Sequence, residues 1–172
     1  MAGMAVKGSL ADLQISFPEA AEVVSAAMLP PNRTLATAES CTGGLLGAAI
    51  TAVPGSSVAY LGGVVAYSNA VKVTELGVDP SLLDRCGAVS PEVAEAMAAG
   101  VRARLAADFG VGVTGVAGPG SSEAKPAGLI YVTVAGPERT VTTSLHSDHG
   151  RHGNRVGAVT AALRLLLGEL GR

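Results

Sequence analysis

The sequence predicts a single-domain, layered α/β/α fold built on a mixed, largely parallel sheet. Apolar runs of strand length alternate with segments of helical periodicity along the whole chain, the order that puts helices on both faces of a sheet. The 172 residues are 48% hydrophobic, enough to fill one core. No internal repeat, low-complexity tract or linker divides them.

Residues 13–28 carry apolar side chains at helical spacing, and the Leu-Pro-Pro-Asn stretch at 29–32 stops that helix. Residues 34–38 read as a short strand, and the small apolar run 43–52 as a tightly packed helix. After the turn cluster at 53–57, residues 58–67 form a near-continuous apolar run, expected to be a strand buried on both faces. Short helical pieces over 70–85 break at Asp79-Pro80. Ser90, Pro91 and Glu92 then supply a cap, a first-turn proline and a first-turn acid for a helix to about Ala107. Residues 109–116 and 129–135 read as buried strands. The polar segment 118–126 between them is too long for a tight hairpin and is expected to cover a site. A last strand, 140–146, leads to an amphipathic helix over 152–167, with Gly168 near its end.

Composition excludes several functions. Twelve basic residues stand against fourteen acidic ones and aromatics are 3%, so the chain has neither the basic stripe nor the stacking rings of a nucleic-acid binder. No run of 18 uncharged apolar residues offers a membrane span. Residues 1–10 lack a sustained apolar stretch before a cleavage site, so a cytoplasmic location is expected. Cys41 and Cys86 stand apart from any Cys/His cluster and read as reduced thiols. His146, His149 and His152 read as surface residues, so no metal or other cofactor is expected. The abundant Ala and Gly of the helices would permit a homo-oligomer.

In open α/β sheets ligands bind beyond the carboxyl ends of strands. Four polar clusters fall at such ends: 40–44, 67–72, 114–118 and 148–155. From the residues alone, Ser40 and Thr42 can be helix caps or reactive groups. Lys72 can be a solvated helix lysine, and Tyr67 a core ring with its hydroxyl at the edge. Thr114 can be a strand residue with a satisfied hydroxyl, and Arg151 and Arg155 solvated surface charges.

ESCTGG at 39–44, PGSS at 54–57, GGVVAYSN at 62–69 with Lys72, GAVS at 87–90 and VTGVAGP at 113–119 together resemble the C-terminal domain of the competence-damage-inducible CinA proteins, the nicotinamide-nucleotide amidohydrolase family. The resemblance covers roughly residues 15–168. Longer relatives carry an additional N-terminal domain similar to molybdopterin-binding proteins, which these 172 residues do not include.

The resemblance implies hydrolysis of the carboxamide of nicotinamide mononucleotide to nicotinate mononucleotide and ammonia, by a serine nucleophile and a lysine base. Ser40 is then the nucleophile. The N–H groups of Cys41, Thr42, Gly43 and Gly44 are expected to face a developing oxyanion, the two glycines allowing close backbone approach. Cys41 is the alternative nucleophile, but no His lies near it in sequence, and a small packed thiol is the simpler reading. Lys72 is the base by motif match, which requires its pKa to fall below the usual 10.4 or so, with burial beside Tyr67 expected to contribute. Tyr67 is expected to relay a proton or position the lysine, and Asn69 to arrange the loop. Thr114 and Gly115 are expected to contact carboxamide or ribose. One of Arg151 and Arg155, spaced i and i+4, is expected to hold the phosphate.

The chain departs from the family's usual Gly-Asp-Arg before the last helix, reading Asp148-His149-Gly150-Arg151. That displacement keeps open a catalytically inactive pyridine-nucleotide-binding or regulatory module. Glu39 is expected either to orient a neighbour or to bond backbone N–H groups.

Overall fold

A computed structural model describes residues 16–171. The expectations for residues 1–10, and for residues 13–15 of the first helix, lie outside the described residues. The elements are α1 (Pro18–Met28), β1 (Leu35–Glu39), α2 (Leu45–Thr51), β2 (Tyr60–Val65), α3 (Asn69–Leu76), α4 (Pro80–Cys86), α5 (Pro91–Arg104), β3 (Phe109–Gly115), β4 (Leu129–Ala135), β5 (Thr140–His146) and α6 (Gly150–Leu170).

The five strands form one sheet in the order β2-β1-β3-β4-β5. β1 pairs in parallel with β2 and β3, while β4 runs antiparallel to both β3 and β5, so four of the five strands point the same way. Their carboxyl ends therefore lie along one edge of the sheet, the arrangement the expected layered fold requires.

Side-chain alternation sorts the strand residues between two cores. Leu35, Phe109, Val111 and Val113 pack with α1, α2 and α6 through Val23, Leu46, Ile50 and Leu163. Ala36 and Ala38 pack on the other face with Val93, Met97 and Val101 of α5 and Leu76 of α3. In β3, sequence FGVGVTG, the valines serve the first core while the glycines lie under α5. A methyl group on Gly112 would meet the Ala94 carbonyl oxygen and, at 2.8 Å, the Ala98 nitrogen. The helix thus rests directly on strand backbone.

The caps follow the sequence. Ser90 Oγ accepts from Val93 N at 3.3 Å, and Asp79 Oδ1 from Ser81 N at 2.8 Å. At the opposite edge of β1, Asp108 accepts from both the backbone N–H and the hydroxyl of Thr34, at 2.8 and 2.9 Å, tying the starts of β1 and β3.

Three expectations need correction. β2 alternates half-buried and exposed positions, with Leu61 and Val65 46% and 51% exposed, because it is the outermost strand and its far face is incompletely covered. α5 ends at Arg104 rather than near Ala107, because Ala106 takes a left-handed φ of 51° that breaks the helical path. α6 starts at Gly150 and runs on through Gly168 to Leu170. Among the described residues, no helix is long and apolar enough to cross a membrane.

The close seat of α5 makes Gly112→Ala a stringent test. The added methyl should destabilise the fold by about 1–3 kcal/mol, as overpacking does. Urea unfolding should show a lowered midpoint with an unchanged slope.

Candidate active site

β1 ends in Glu39, a carboxylate buried to 2% exposure. It accepts from the N–H groups of Gly44 (3.0 Å), Leu46 (3.0 Å) and Gly47 (2.8 Å), so one side chain satisfies the first turn of α2. The start of that helix sits tightly over this group: a methyl group on Gly47 would lie 2.8 Å from the Tyr60 hydroxyl and 3.5 Å from Glu39 Oε1. Gly44 precedes the helix with a left-handed φ of 91° and makes no side-chain cap. Ser40 and Thr42 are consequently not the caps of α2. The carboxylate two strand positions from Thr37 does that work.

Ser40 is anchored through its N–H to Val113 O at 2.9 Å, and its side chain meets Lys72. Lys72 Nζ donates to Ser40 Oγ at 3.2 Å and to Ala66 O at 2.9 Å. Lys72 is 1% exposed, against the surface position an isolated helix lysine would take. Burial holds its pKa below the ordinary 10.5, while the fields of Glu123 and the Cys41 thiol act in the opposite direction. The Cys41 thiol is itself buried, which pushes it up to about 12; it is a packed, protonated group of the apolar core.

A cavity of about 290 Å³ opens onto this pair, close to the roughly 300 Å³ lower bound of small-molecule sites. All four strand-end loops reach it: Ser40 and Cys41 after β1, Tyr67, Asn69 and Lys72 after β2, residues 114–123 from the end of β3 through the long loop, and Arg151 after β5. The 118–126 segment does cover the site, through Gly118 to Glu123. It is pinned to the α4–α5 connection by Lys125 Nζ, which donates to Cys86 O at 2.7 Å, and by Glu123, which accepts from Val89 N at 3.4 Å.

Several side chains stand elsewhere than the sequence suggests. Tyr67 is 61% exposed and so does not bury Lys72; its hydroxyl accepts from Arg151 Nη2 at 3.0 Å. Arg151 also donates to Gly118 O at 2.8 Å, so its guanidinium bridges two loops at the cavity mouth. Arg155 faces inward instead, and two of its nitrogens donate to Thr42 O at 3.2 and 2.7 Å, gripping the serine loop. The i and i+4 arginines therefore do not converge on one point. Ser68, not Asn69, fixes the start of α3, its hydroxyl accepting from Val71 N at 3.3 Å; Asn69 is exposed on the cavity wall.

Thr114 is buried and donates to Ala88 O at 2.7 Å, so its hydroxyl is satisfied within the fold. Gly115 is small because β4 crowds it: a methyl group there would lie 2.6 Å from Ile130 Cγ1. Of the four N–H groups expected to face an oxyanion, Gly43 N donates to Ser40 O and Gly44 N to Glu39. Cys41 and Thr42 N–H remain without an acceptor on another residue among the described residues.

Asp148, though displaced in sequence, organises the entry to α6. Its Oδ1 accepts from Asn154 Nδ2 at 2.8 Å and Gly150 N at 2.9 Å, bonds that hold its carboxyl below its ordinary pKa. Asn154, buried and overlooked in the sequence, also donates to Ala117 O at 3.0 Å and accepts from His149 N at 2.8 Å. His146, His149 and His152 are exposed, and among the described residues no group of three or more His, Cys, Asp and Glu side chains is arranged to hold a metal ion.

Removing the Glu39 carboxylate isolates its role. Glu39→Ala strands three N–H groups, of which only the Leu46 bond is fully buried and worth about 1–3 kcal/mol while the two part-buried ones are worth about 0.5–1 each, so stability should fall by about 2–5 kcal/mol. Chemical denaturation measures the loss; a change under 1 kcal/mol would show that water replaces the carboxylate.

The CinA C-terminal domain family matches residues 18–170 of this chain. The CinA-like protein of Frankia casuarinae is 49% identical over 144 residues, 84% of this chain and 33% of the relative. That of Acidobacterium capsulatum is 49% identical over 134 residues, 77% of this chain and 32% of the relative. The chain thus spans about a third of the length of the curated relatives it matches. Among solved structures, the competence/damage inducible protein CihA of Agrobacterium tumefaciens superposes with a TM-score of 0.84 at 35% identity, over 93% of this chain and all of the other. A CinA superfamily protein of Klebsiella pneumoniae gives 0.87 at 29% identity, over 92% and 99%. With the family match, the relatives and the shared architecture in agreement over nearly the whole described chain, the protein belongs to the CinA C-terminal domain family.

Proposed function

We propose that this protein is an amidohydrolase that converts nicotinamide mononucleotide to nicotinate mononucleotide and ammonia. The observation that supports this most directly is the buried contact of Lys72 Nζ with Ser40 Oγ, 3.2 Å apart at the wall of the cavity of about 290 Å³. A lysine poised as a base must be neutral, and burial biases Lys72 that way.

In this reading the neutral amine accepts the Ser40 proton as Oγ attacks the carboxamide carbon. The oxyanion meets the N–H groups of Cys41 and Thr42. As the tetrahedral species collapses, the C–N bond breaks and the Lys72 ammonium gives its proton to the departing nitrogen, which leaves as ammonia. Water then adds to the acyl-enzyme, Lys72 takes its proton, and the acid is released as Ser40 recovers a proton. Glu39 and Arg155 hold the loop that carries Ser40, from opposite sides. Arg151, at the mouth, meets the phosphate, trading the Tyr67 hydroxyl and the Gly118 carbonyl for a charge-assisted partner.

Ammonia release from nicotinamide mononucleotide by the purified protein tests the proposal, and no release above a heat-inactivated control overturns it. Ser40→Ala should lower turnover by roughly 10³-fold or more with binding retained. Cys41→Ser should have a mild effect, and the reverse pattern would make the thiol the nucleophile.

Lys72→Met should lower turnover by roughly 10²- to 10⁴-fold with little change in affinity. Because the native pKa of Lys72 lies below 10.5, the rate should rise with pH as the amine loses its proton, with a midpoint below that value. Stability should rise over the same window, since the unfolded chain then binds more protons than the native one; Lys72→Met should abolish that rise. A pH profile that lacks this acid limb removes Lys72 from the mechanism.

The two arginines should separate by substrate. Arg151→Gln should erase a preference for the nucleotide over its dephosphorylated riboside of roughly 10- to 150-fold, the worth of about 1.5–3 kcal/mol. Arg155→Gln should slow both substrates alike. Loss of the phosphate preference in the Arg155 variant instead would exchange the two roles.

A further inference from the structure

The cavity wall carries one carboxylate among the described residues, Glu123, which neither the Ser40–Lys72 contact nor the phosphate contact employs. Its side chain is 36% exposed, so it remains accessible to a ligand. The backbone that presents it is unusual: Glu123 and Ala124 both adopt left-handed φ angles, 52° and 59°, a conformation that side chains with a Cβ seldom take. The loop is nevertheless fixed, by Lys125 on Cys86 O and by the Ser122–Lys125 bridge. Glu123 Oε2 accepts from Val89 N at 3.4 Å and forms a long ion pair with Lys125 Nζ at 3.9 Å, whose ammonium also donates to the Cys86 carbonyl and lies off the cavity wall, so Glu123 Oε1 is the oxygen left for a ligand.

The cavity therefore presents two opposite charges at different places. Arg151 stands at the mouth, between Tyr67 and Gly118. Glu123 stands close enough to the reacting pair that its field acts on Lys72. We propose that Glu123 is a specificity-determining residue that selects a cationic ring in this cavity, the counterpart of the guanidinium that meets an anion at its mouth. The matching ligand carries a pyridinium and a phosphate in one molecule. This rests on the amidohydrolase reading and deepens it: the carboxamide to be cleaved is attached to the ring that bears the positive charge. Neutral nicotinamide and ring-reduced nucleotides present the same amide without that charge and gain nothing from Glu123.

The arrangement also bears on the base. Two ionisable groups act on Lys72 through their fields, Glu123 and the Cys41 thiol, and the thiol is protonated at ordinary pH. Glu123 favours the charged lysine. A cationic ring over the carboxylate cancels that bias and adds its own repulsion, so the bound substrate promotes the neutral amine that its hydrolysis needs.

The test uses the full chain with Ser40→Ala, to prevent turnover, and titrates nicotinamide mononucleotide against its ring-reduced form, which shares the phosphate, ribose and carboxamide. The oxidised form should bind about three- to tenfold more tightly, in line with a partly exposed charge contact. Glu123→Gln, which keeps an acceptor for Val89 N, should abolish the preference by weakening the oxidised form alone, and Glu123→Asp should restore part of it. In the enzyme with Ser40 intact, Glu123→Gln should shift the acid limb of kcat/KM to lower pH, a change that loss of a purely structural contact would not produce.

A preference that survives Glu123→Gln undiminished, or equal binding of the two forms by the parent, overturns the inference while leaving ammonia release intact. Failure of both forms to bind, with no ammonia released by the unmodified protein, overturns the amidohydrolase reading itself. If Glu123→Gln lowers the melting temperature enough to prevent titration, the Glu123→Asp ratio and its pH limb decide the question.

Discussion

Glu39 sits where β1 gives way to α2, with its carboxylate turned forward onto the N–H groups of Gly44, Leu46 and Gly47. A helix start needs acceptors, and the hydroxyls nearest in sequence, Ser40 and Thr42, are the residue types that ordinarily provide them. Because the carboxylate satisfies the turn, the serine hydroxyl is left to meet Lys72. The same choice has a cost for the site: with the helix N–H groups taken, the electrophilic donors beside Ser40 reduce to those of Cys41 and Thr42. A buried negative group just behind the serine loop also explains why the flanking thiol remains protonated, since Glu39 adds to the burial that raises it.

The rest of the site depends on strand direction. β1, β2, β3 and β5 deliver their following loops to one edge, whereas antiparallel β4 returns the chain and leaves the long 118–126 segment lying over that edge. Short glycine contacts between α5 and β3 set the spacing of the layers beneath. Lys72 is held within α3 and Ser40 directly after β1, while Arg151, Tyr67 and Glu123, which also line the cavity, are carried on loops and at a helix start. Such a division suits a chemical step that tolerates little displacement beside a recognition surface that must admit and release a ligand.

The sequence is legible where a residue's environment follows from its neighbours. The buried strands read at 109–116 and 129–135, the Ser90-Pro91-Glu92 start and the strand-end polar clusters all appear in the fold at their expected places. It is less legible where the decisive partner is distant. Nothing near Arg155 indicates that it grips Thr42 O, and nothing near Tyr67 indicates that β2 would be the edge strand and leave the ring exposed. Lys72 shows the same limit, because its burial comes from elements that its own amphipathic helix does not specify. The family motifs brought Ser40, Lys72, Tyr67 and Arg151 to attention together; the roles of Glu39, Asn154 and Glu123 needed three-dimensional neighbours. For Glu39 the sequence offers backbone N–H bonding as one of two readings, and the structure shows it on Gly44, Leu46 and Gly47.

The hold of Arg155 on the Thr42 carbonyl joins residues 113 positions apart, and Arg164 meets Glu19 across 145. During synthesis the serine loop emerges 113 residues before the side chain that fixes it. Such long-range closure is slow to form and yields nothing until both halves are present. A nascent or prematurely ended chain thus carries a serine without its clamp and, with α1 lacking its partner α6, an uncovered apolar face.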